Sequence, residues 1–313
     1  MSGSYPLEVA IFSYNRGAYL KQAVASVQRN IPQARLRVFD DDSDDPETCA
    51  YLDQISDMVT RHSRRDTGDR HGGLYINMQR ALESAQAPRL LMLQDDTQVV
   101  RPVDATDLAQ FDALFAADPK AGFICPLFIR GQRKRRYRRR MMPDPDLRCY
   151  RARPGKPGLG YFDITVLDVE RLRQADWRFQ LSEDANIAQA RQLFSEMPLM
   201  ADPFAFYCPE VPFYRHRRQS LAAQLAPRII GTGVKGYHDL TADQVAALRA
   251  RPLKRWPVAE KFLTPTDPAT RRPFVYKDVK ARWYLNLMYK VEQALRLAAI
   301  TESNRDHASR EKQ

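Results

Sequence analysis

Apolar residues in this chain come as short runs separated by longer amphipathic stretches. Val9-Ala10-Ile11-Phe12, Leu36-Arg37-Val38-Phe39 and Leu90-Leu91-Met92-Leu93 are the clearest runs. Runs this short suit strands buried on both faces. From about Ala18, between the first two, Leu20, Val24 and Val27 recur at helical spacing. Strand, helix and strand in so short a stretch form a βαβ unit, which predicts parallel pairing through a right-handed crossover. Pro46 suits the first turn of a second helix, with Ser43 or Asp45 as its cap and Leu52 and Ile55 on its apolar side. A third helix is expected from near Leu74 to about Ala85. A fourth runs from Asp104 to Ala117, and Phe123 to Ile129 reads as a further strand. The alternation predicts an α/β sheet with helices on both faces.

Further on the pattern is less regular. Arg130 to Arg140 reads Arg-Gly-Gln-Arg-Lys-Arg-Arg-Tyr-Arg-Arg-Arg, a block whose self-repulsion predicts a mobile loop. Pro143 to Gly160 is rich in Pro and Gly and reads as another loop. Tyr161 to Leu167 reads as a strand and Val169 to Gln174 as a short helix. Ser182 is placed to cap a helix whose first turn carries Glu183 and Asp184. Phe204 to Tyr207 and Val211 to Tyr214 bracket a turn at Pro209. Past Ala226 the expectation is a helix at Thr241 to Arg249, a proline-punctuated linker at Arg251 to Pro273, and an amphipathic helix from Lys280 to Ile300. Tyr284, Leu287, Met288, Val291, Leu295 and Ala298 form one stripe of that last helix, which either docks on the domain or lies on an anionic membrane face. The chain thus divides into an expected catalytic domain, 1–225, and a basic extension, 226–313, ending in a polar tail.

Composition narrows the function. With 313 residues and 44% apolar content the chain can build a real core, and its formal net charge of +11 favours anionic partners. The four cysteines are far apart with no CxxC pair, so neither a zinc site nor a disulfide framework is indicated. No secretory signal and no bilayer-spanning apolar run is visible. The expected location is cytoplasmic, with peripheral contact at the inner face of a cell membrane. No GxGxxG follows the first strand and no GxxxxGK[ST] occurs, which argues against a dinucleotide fold and a P-loop enzyme.

The candidate chemistry lies where the Leu90–Leu93 run meets Gln94-Asp95-Asp96-Thr97. Ligands of open α/β sheets gather at such strand ends. Adjacent carboxylates repel unless a cation lies beside them, and hard oxygens suit magnesium or manganese. A polar turn after a core strand is the alternative. The second run also ends in acids, Asp40-Asp41-Asp42-Ser43-Asp44-Asp45.

The order of Val9-Ala10-Ile11-Phe12-Ser13-Tyr14-Asn15-Arg16, Val38 to Asp45, Gln94-Asp95-Asp96, Glu183-Asp184 and Tyr214-Arg215-His216 resembles the family 2 glycosyltransferases, inverting nucleotide-sugar enzymes of the GT-A fold. The resemblance spans roughly Leu7 to Ser220 and implies a Rossmann-like mixed sheet flanked by helices. It also implies roles. Phe12, Ser13 and Tyr14 would line the base pocket of a UDP-like donor, with Arg16 and Arg70 also on the nucleotide. Asp41 would accept from the base N–H, and Asp95 would lie near the ribose. Asp96 and His216 would hold Mn2+ or Mg2+, and Asp184 would be the general base. Glu183, Arg215 and Arg217 would meet the acceptor or a phosphate. The chain departs from the family pattern at Asp42, where glycine is usual.

The implied partners are a nucleotide-sugar donor and a glycan or lipid-linked acceptor, such as a cell-envelope intermediate. Two rivals are a sugar nucleotidyltransferase and a nucleic-acid-binding protein using Arg130–Arg140 and Arg215–Arg218. Against the first, such enzymes carry a glycine-rich basic loop directly after the first strand, and Ser13 to Gly17 does not resemble it. Against the second stand the acids at three element ends and the absence of a reading motif.

Overall fold

A computed structural model describes the chain over residues 5–61, 73–212 and 219–295. The first apolar runs become strands β1 (Glu8–Ser13) and β2 (Arg35–Asp40), joined by helix α1 (Gly17–Asn30). Helix α2 (Pro46–Gln54) leads to strand β3 (Val59–Arg61), and helix α3 (Gly73–Ser84) leads to strand β4 (Arg89–Gln94). Strands β3, β2, β1 and β4 lie side by side in that order, all parallel, with Ile11 of β1 opposite Val38 on one side and Leu93 on the other. Helix α1 turns Leu20, Ala23, Val24 and Val27 inward, each almost wholly buried. That face is the helical repeat seen in the sequence.

After β4 come the short strand β5 (Thr97–Val99), helix α4 (Ala105–Ala117) and strand β6 (Phe123–Ile124). The expected Phe123–Ile129 strand keeps only its first two residues in the central sheet. Cys125, Leu127 and Ile129 each make single bridges elsewhere. Arg101 is buried beside α4 and forks onto Asp107 at 2.7 and 2.8 Å, with the Pro203 carbonyl 3.1 Å from Nε. Breaking such a buried pair costs about 3–5 kcal/mol, so it fixes the start of α4 firmly.

The arginine block is not a loop. Residues 134–140 form helix α5 (Lys134–Arg140). Arg and Lys are good helix formers, and Tyr137 packs its ring against Trp256 at 6.4 Å while Arg135, Arg136, Arg138 and Arg139 stay in solvent. Nor is Pro143–Gly160 all loop. It holds most of an antiparallel hairpin, β7 (Met141–Asp144) and β8 (Cys149–Ala152), with Arg148 in the turn at φ 49°. Burial of Met141, Cys149 and Tyr150 drives the pairing, and Tyr150 stacks on Trp256 at 4.0 Å.

Strand β9 (Thr165–Asp168) runs antiparallel between β4 and β6 and completes the central sheet, order β3-β2-β1-β4-β9-β6. Helices α6 (Val169–Gln174) and α7 (Glu183–Leu193) follow, then strands β10 (Leu199–Met200), which joins the hairpin, and β11 (Ala205–Tyr207), which pairs with β5. The expected mixed α/β sheet flanked by helices is therefore present.

Contacts divide the chain into two compact units. One is Met1–Tyr207 with Tyr237–Thr264, the other Cys208–Gly236 with Pro265–Gln313. This differs from the single boundary expected at 225/226. Residues 237–264, expected as part of the extension, belong to the first unit through helix α9 (Ala242–Ala250) and through Trp256 and Val258 in its core. Arg251–Pro273 is accordingly not a plain linker. Its prolines leave backbone groups that pair with the sheet unit, as where Ile129 N–H donates to the Pro257 carbonyl at 3.0 Å. The second unit contains helix α8 (Leu221–Ile230), which Pro227 masks in the sequence, and helix α10 (283–295). Met288 and Tyr289 pack against Ala222, Ala223 and Val279. The other residues of the expected stripe that are described, Tyr284, Leu287, Val291 and Leu295, remain exposed, so the packing on α8 uses a different face. Ala298 lies outside the described residues. No helix among the described residues is long and apolar enough to cross a membrane.

Candidate functional site

The site forms where β1, β2 and β4 end on the same edge. Asp95 and Asp96 occupy the turn between β4 and β5. The Asp95 N–H donates to the Phe12 carbonyl at 2.9 Å, which carries the parallel pairing one step past the strand. In return the Tyr14 N–H donates to Asp95 Oδ2 at 3.1 Å. Arg16 Nη1 donates to Asp95 Oδ1 at 2.7 Å and also to Asp96 Oδ2. The cation expected beside the carboxylates was a divalent metal, and here a guanidinium from the chain itself lies against both. The Asp95 carboxyl is nonetheless raised above its ordinary range. Burial raises it most, the Arg16 charge opposes, and Asp96 adds to the rise.

The acids after β2 mostly build the loop. Asp40 accepts from Ser43 N–H at 2.8 Å and Ser43 Oγ–H at 2.6 Å. Asn15 lies in the left-handed region at φ 49° and reaches Asp44 from its amide at 2.6 Å. Asp45, one of the two caps expected, is the α2 N-cap and accepts from Thr48 N–H at 2.9 Å. Asp42 adopts φ 58°, the conformation a glycine takes most easily, and aspartate tolerates it. Asp41 is the exception, since its carboxylate fills the space a Cβ on Gly73 would need. Gly73 opens the described part of α3, so the strand-end acid is pressed against that helix start.

Ser182 caps α7 as expected, with Ala185 N–H donating to its Oγ at 3.2 Å. Asn186, buried, pins the preceding loop through Gln180 N–H at 2.8 Å and the Gln180 and Ser182 carbonyls at 3.0 Å. Glu183 and Asp184 therefore stand at a fixed helix start with their side chains exposed. The Glu183 carboxyl is raised by partial desolvation and by Asp184, against which Arg133 acts.

Between the two groups of acids lies Asp163. Tyr75 Oη–H donates to Asp163 Oδ2 at 3.4 Å and Gln94 Nε2 lies 3.5 Å from it. Oδ1 is buried with no hydrogen-bond partner among the described residues. Burial first, and Glu183 next, push this carboxyl up to about 7, with the Tyr161 and Tyr75 hydroxyls opposing. Tyr207, the last residue of β11, links everything. Its hydroxyl is raised by burial and then by Asp163, Cys125, Glu183 and Asp96. Gln94, directly before Asp95, and Tyr75 both reach Asp163, and the charges of Glu183 and Asp96 act on this same region. Tyr75 likewise feels Asp163, Glu183 and Asp184.

Of the residues singled out in the sequence, Arg16, Asp95 and Asp96 are in direct contact, with Tyr14 bonded to them through its backbone. Ser13 is buried there, its Oγ without a partner among the described residues. Phe12 does not line a pocket with its ring. It is 4% exposed and packs on Phe39 at 5.8 Å, because both faces of β1 are covered. Only its carbonyl reaches the site. Arg70, Arg215, His216 and Arg217 lie outside the described residues. Asp163, Tyr75, Tyr207 and Asn77 were not picked out in the sequence. Asn77 of α3 is almost fully buried with both amide atoms unpartnered among the described residues. The signal for Asp163 was a carboxylate directly before the apolar run Ile164 to Leu167.

Comparison with known proteins bears on this cleft. Against curated proteins the chain gives no significant sequence match. Among solved structures it is similar to S. aureus TarS 1-349 in complex with UDP-GlcNAc, at 14% identity and TM-score 0.44, covering 77% of this chain and 70% of that one. It is also similar to the mannosyltransferase PcManGT from Pyrobaculum calidifontis in complex with GDP-Man and Mn2+, at 13% identity and TM-score 0.42, covering 98% and 81%. The family profile described as Glycosyl transferase family 2 matches residues 8–207. That span runs from β1 to the end of β11 and takes in every described acid of the cleft, and the chain belongs to glycosyl transferase family 2.

Proposed function

We propose that the chain transfers a sugar from a nucleoside diphosphate sugar, a UDP-sugar by preference, to a hydroxyl of a cell-surface glycan or lipid-linked acceptor, with inversion at the anomeric carbon. The observation that carries this is the pair Asp95 and Asp96, buried at the end of β4 and bonded to the β1–α1 loop. Phosphate and sugar ligands of open α/β sheets bind at such an edge. In this reading Tyr14 stacks on the base, Asp41 accepts from the base N–H, Asp95 meets the ribose and Arg16 faces the diphosphate.

The donor set suits a divalent cation. No group of three or more His, Cys, Asp or Glu gathers among the described residues. Two adjacent hard carboxylates fit an ion that fills its remaining positions with phosphate oxygens and water, as Mg2+ does. Asp96 would hold it, with His216 as the further candidate ligand. A bound ion would supply charge neutralisation for the leaving diphosphate.

Asp184 takes the proton of the acceptor hydroxyl. The acceptor oxygen bonds to the anomeric carbon while the bond from that carbon to the diphosphate oxygen breaks, and the nucleoside diphosphate leaves. Its place at the start of α7, fixed by Ser182 and Asn186, supports the role. A general base contributes on the order of a hundred- to ten-thousand-fold. Asp184→Asn is therefore expected to lower kcat by about that factor and leave UDP affinity nearly unchanged, measured by UDP release and by calorimetry. A comparable loss of UDP affinity contradicts the assignment.

A further inference from the structure

A second cavity lies beside the cleft, bounded by α5, the 158–162 segment and α7, with a volume of about 120 Å3. Its lining is apolar at Leu159, Phe162 and Ile187 and cationic at Arg133, Arg136, Arg140 and Arg191. Among the described residues Arg133, Arg136 and Arg140 form no ion pair, and Arg191 meets only Glu196, at 3.6 Å. Gly160 keeps the lining close-packed, since a Cβ there would sit 3.2 Å from both Arg191 Nε and Ile187 Cγ2.

Helix α7 connects this cavity to the chemistry. Asp184, Ile187 and Arg191 are spaced three and four residues apart, so they share one face of the helix. That face carries the proposed base at one end and the cavity lining along its length. Arg133 acts from the other wall, where its charge opposes the rise of the Glu183 carboxyl. A molecule lying in the cavity would end beside Asp184. Guanidinium forks select anionic oxygens, which they hold by charge-assisted, often bidentate bonds, and Arg136 and Arg140 have no ion-pair partner among the described residues. Apolar surface between them suits the carbon face of a sugar ring.

We propose that this cavity is the acceptor site and that the acceptor is a polyanionic glycan, its phosphate or carboxylate groups held by Arg133, Arg136, Arg140 and Arg191. The inference rests on the glycosyltransferase reading above, to which it adds the acceptor's chemical class.

The test is calorimetry on the full chain in metal-free, low-salt buffer, with tripolyphosphate and trigalacturonate as probes. Comparing the two probes tells phosphate from carboxylate. Arg136→Ala/Arg140→Ala/Arg191→Ala is expected to weaken the better probe by at least about tenfold. Arg135→Ala/Arg138→Ala/Arg139→Ala, which removes as much charge from the same region outside the cavity, is expected to change it less than about threefold. Equal losses in the two variants would mean diffuse attraction and would overturn the proposal. So would binding to phosphatidylglycerol vesicles without binding to either soluble probe. UDP binding with manganese is measured on the same wild-type sample. Its failure would remove the donor reading, whereas a probe affinity unmoved by the cavity variant removes only this one.

Discussion

Asp163 shows how one residue can govern an acidic cleft. It sits among hydroxyls, with Glu183 close enough to raise its carboxyl and its own charge felt by Tyr75, Tyr161 and Tyr207. Its carboxyl in the folded chain titrates at about 7, above the ordinary carboxylate value. A raised carboxyl favours the folded state when protonated. That contribution is complete below the unfolded value and is lost as pH rises through the folded one. Asp163→Asn is therefore expected to melt higher than the wild type above about pH 7, the gain fading towards about pH 4. Melting curves across that range check this, and a gain independent of pH contradicts it. Asp95 is also raised, but it keeps Arg16 as a charge partner. Among the described residues no cation offsets the rise at Asp163.

At the scale of elements, the site depends on where helices begin. Gly73 lets the Asp41 carboxylate lie against the start of α3. A methyl there collides with the far end of a flexible side chain, so Gly73→Ala costs little stability but swings Asp41 away. The expected result is a rise in donor KM of about tenfold, the loss of one hydrogen bond to a charged group, with Tm nearly unchanged. A donor KM equal to the wild type would remove Asp41 from the nucleotide site. Legibility differs between these elements for physical reasons. Strands β1 and β4 are buried on both faces, β2 is buried over its second half, and α1 has one apolar stripe, so the apolar pattern alone located them. Ser182 and Asp45 were readable because caps need particular side chains. Helix α5 was not readable, because charge repulsion argued for a loop while helix propensity and the Tyr137–Trp256 contact decided otherwise. The β7–β8 hairpin hid among prolines, and Phe12 looked like pocket lining although its ring belongs to the core.

For the whole molecule, the family match and the first stretch of the sheet-bearing unit agree, since both end at Tyr207, the last residue of β11. The rest of the chain is shared between the units, with residues 237–264 completing the core of the first. Motifs close in sequence located Asp95, Asp96, Glu183 and Asp184. What they could not give was Asp163 and Tyr207, which enter the cleft only when β9 and β11 fold beside β4 and β5. The net charge of +11 pointed to anions without saying where, and the cavity beside α7 gives that charge a location.

The central claim is a nucleoside diphosphate sugar bound at Asp95 and Asp96. The most direct test is thermal unfolding with UDP, GDP, dTDP and ADP, each with and without manganese, on the wild type and Asp96→Ala. A ligand at a hundred times its dissociation constant stabilises by about 2.7 kcal/mol, a clear rise in Tm. The account predicts such a rise with UDP, larger with manganese and absent in Asp96→Ala. No rise with any of the diphosphates, or one that survives in Asp96→Ala, would contradict it.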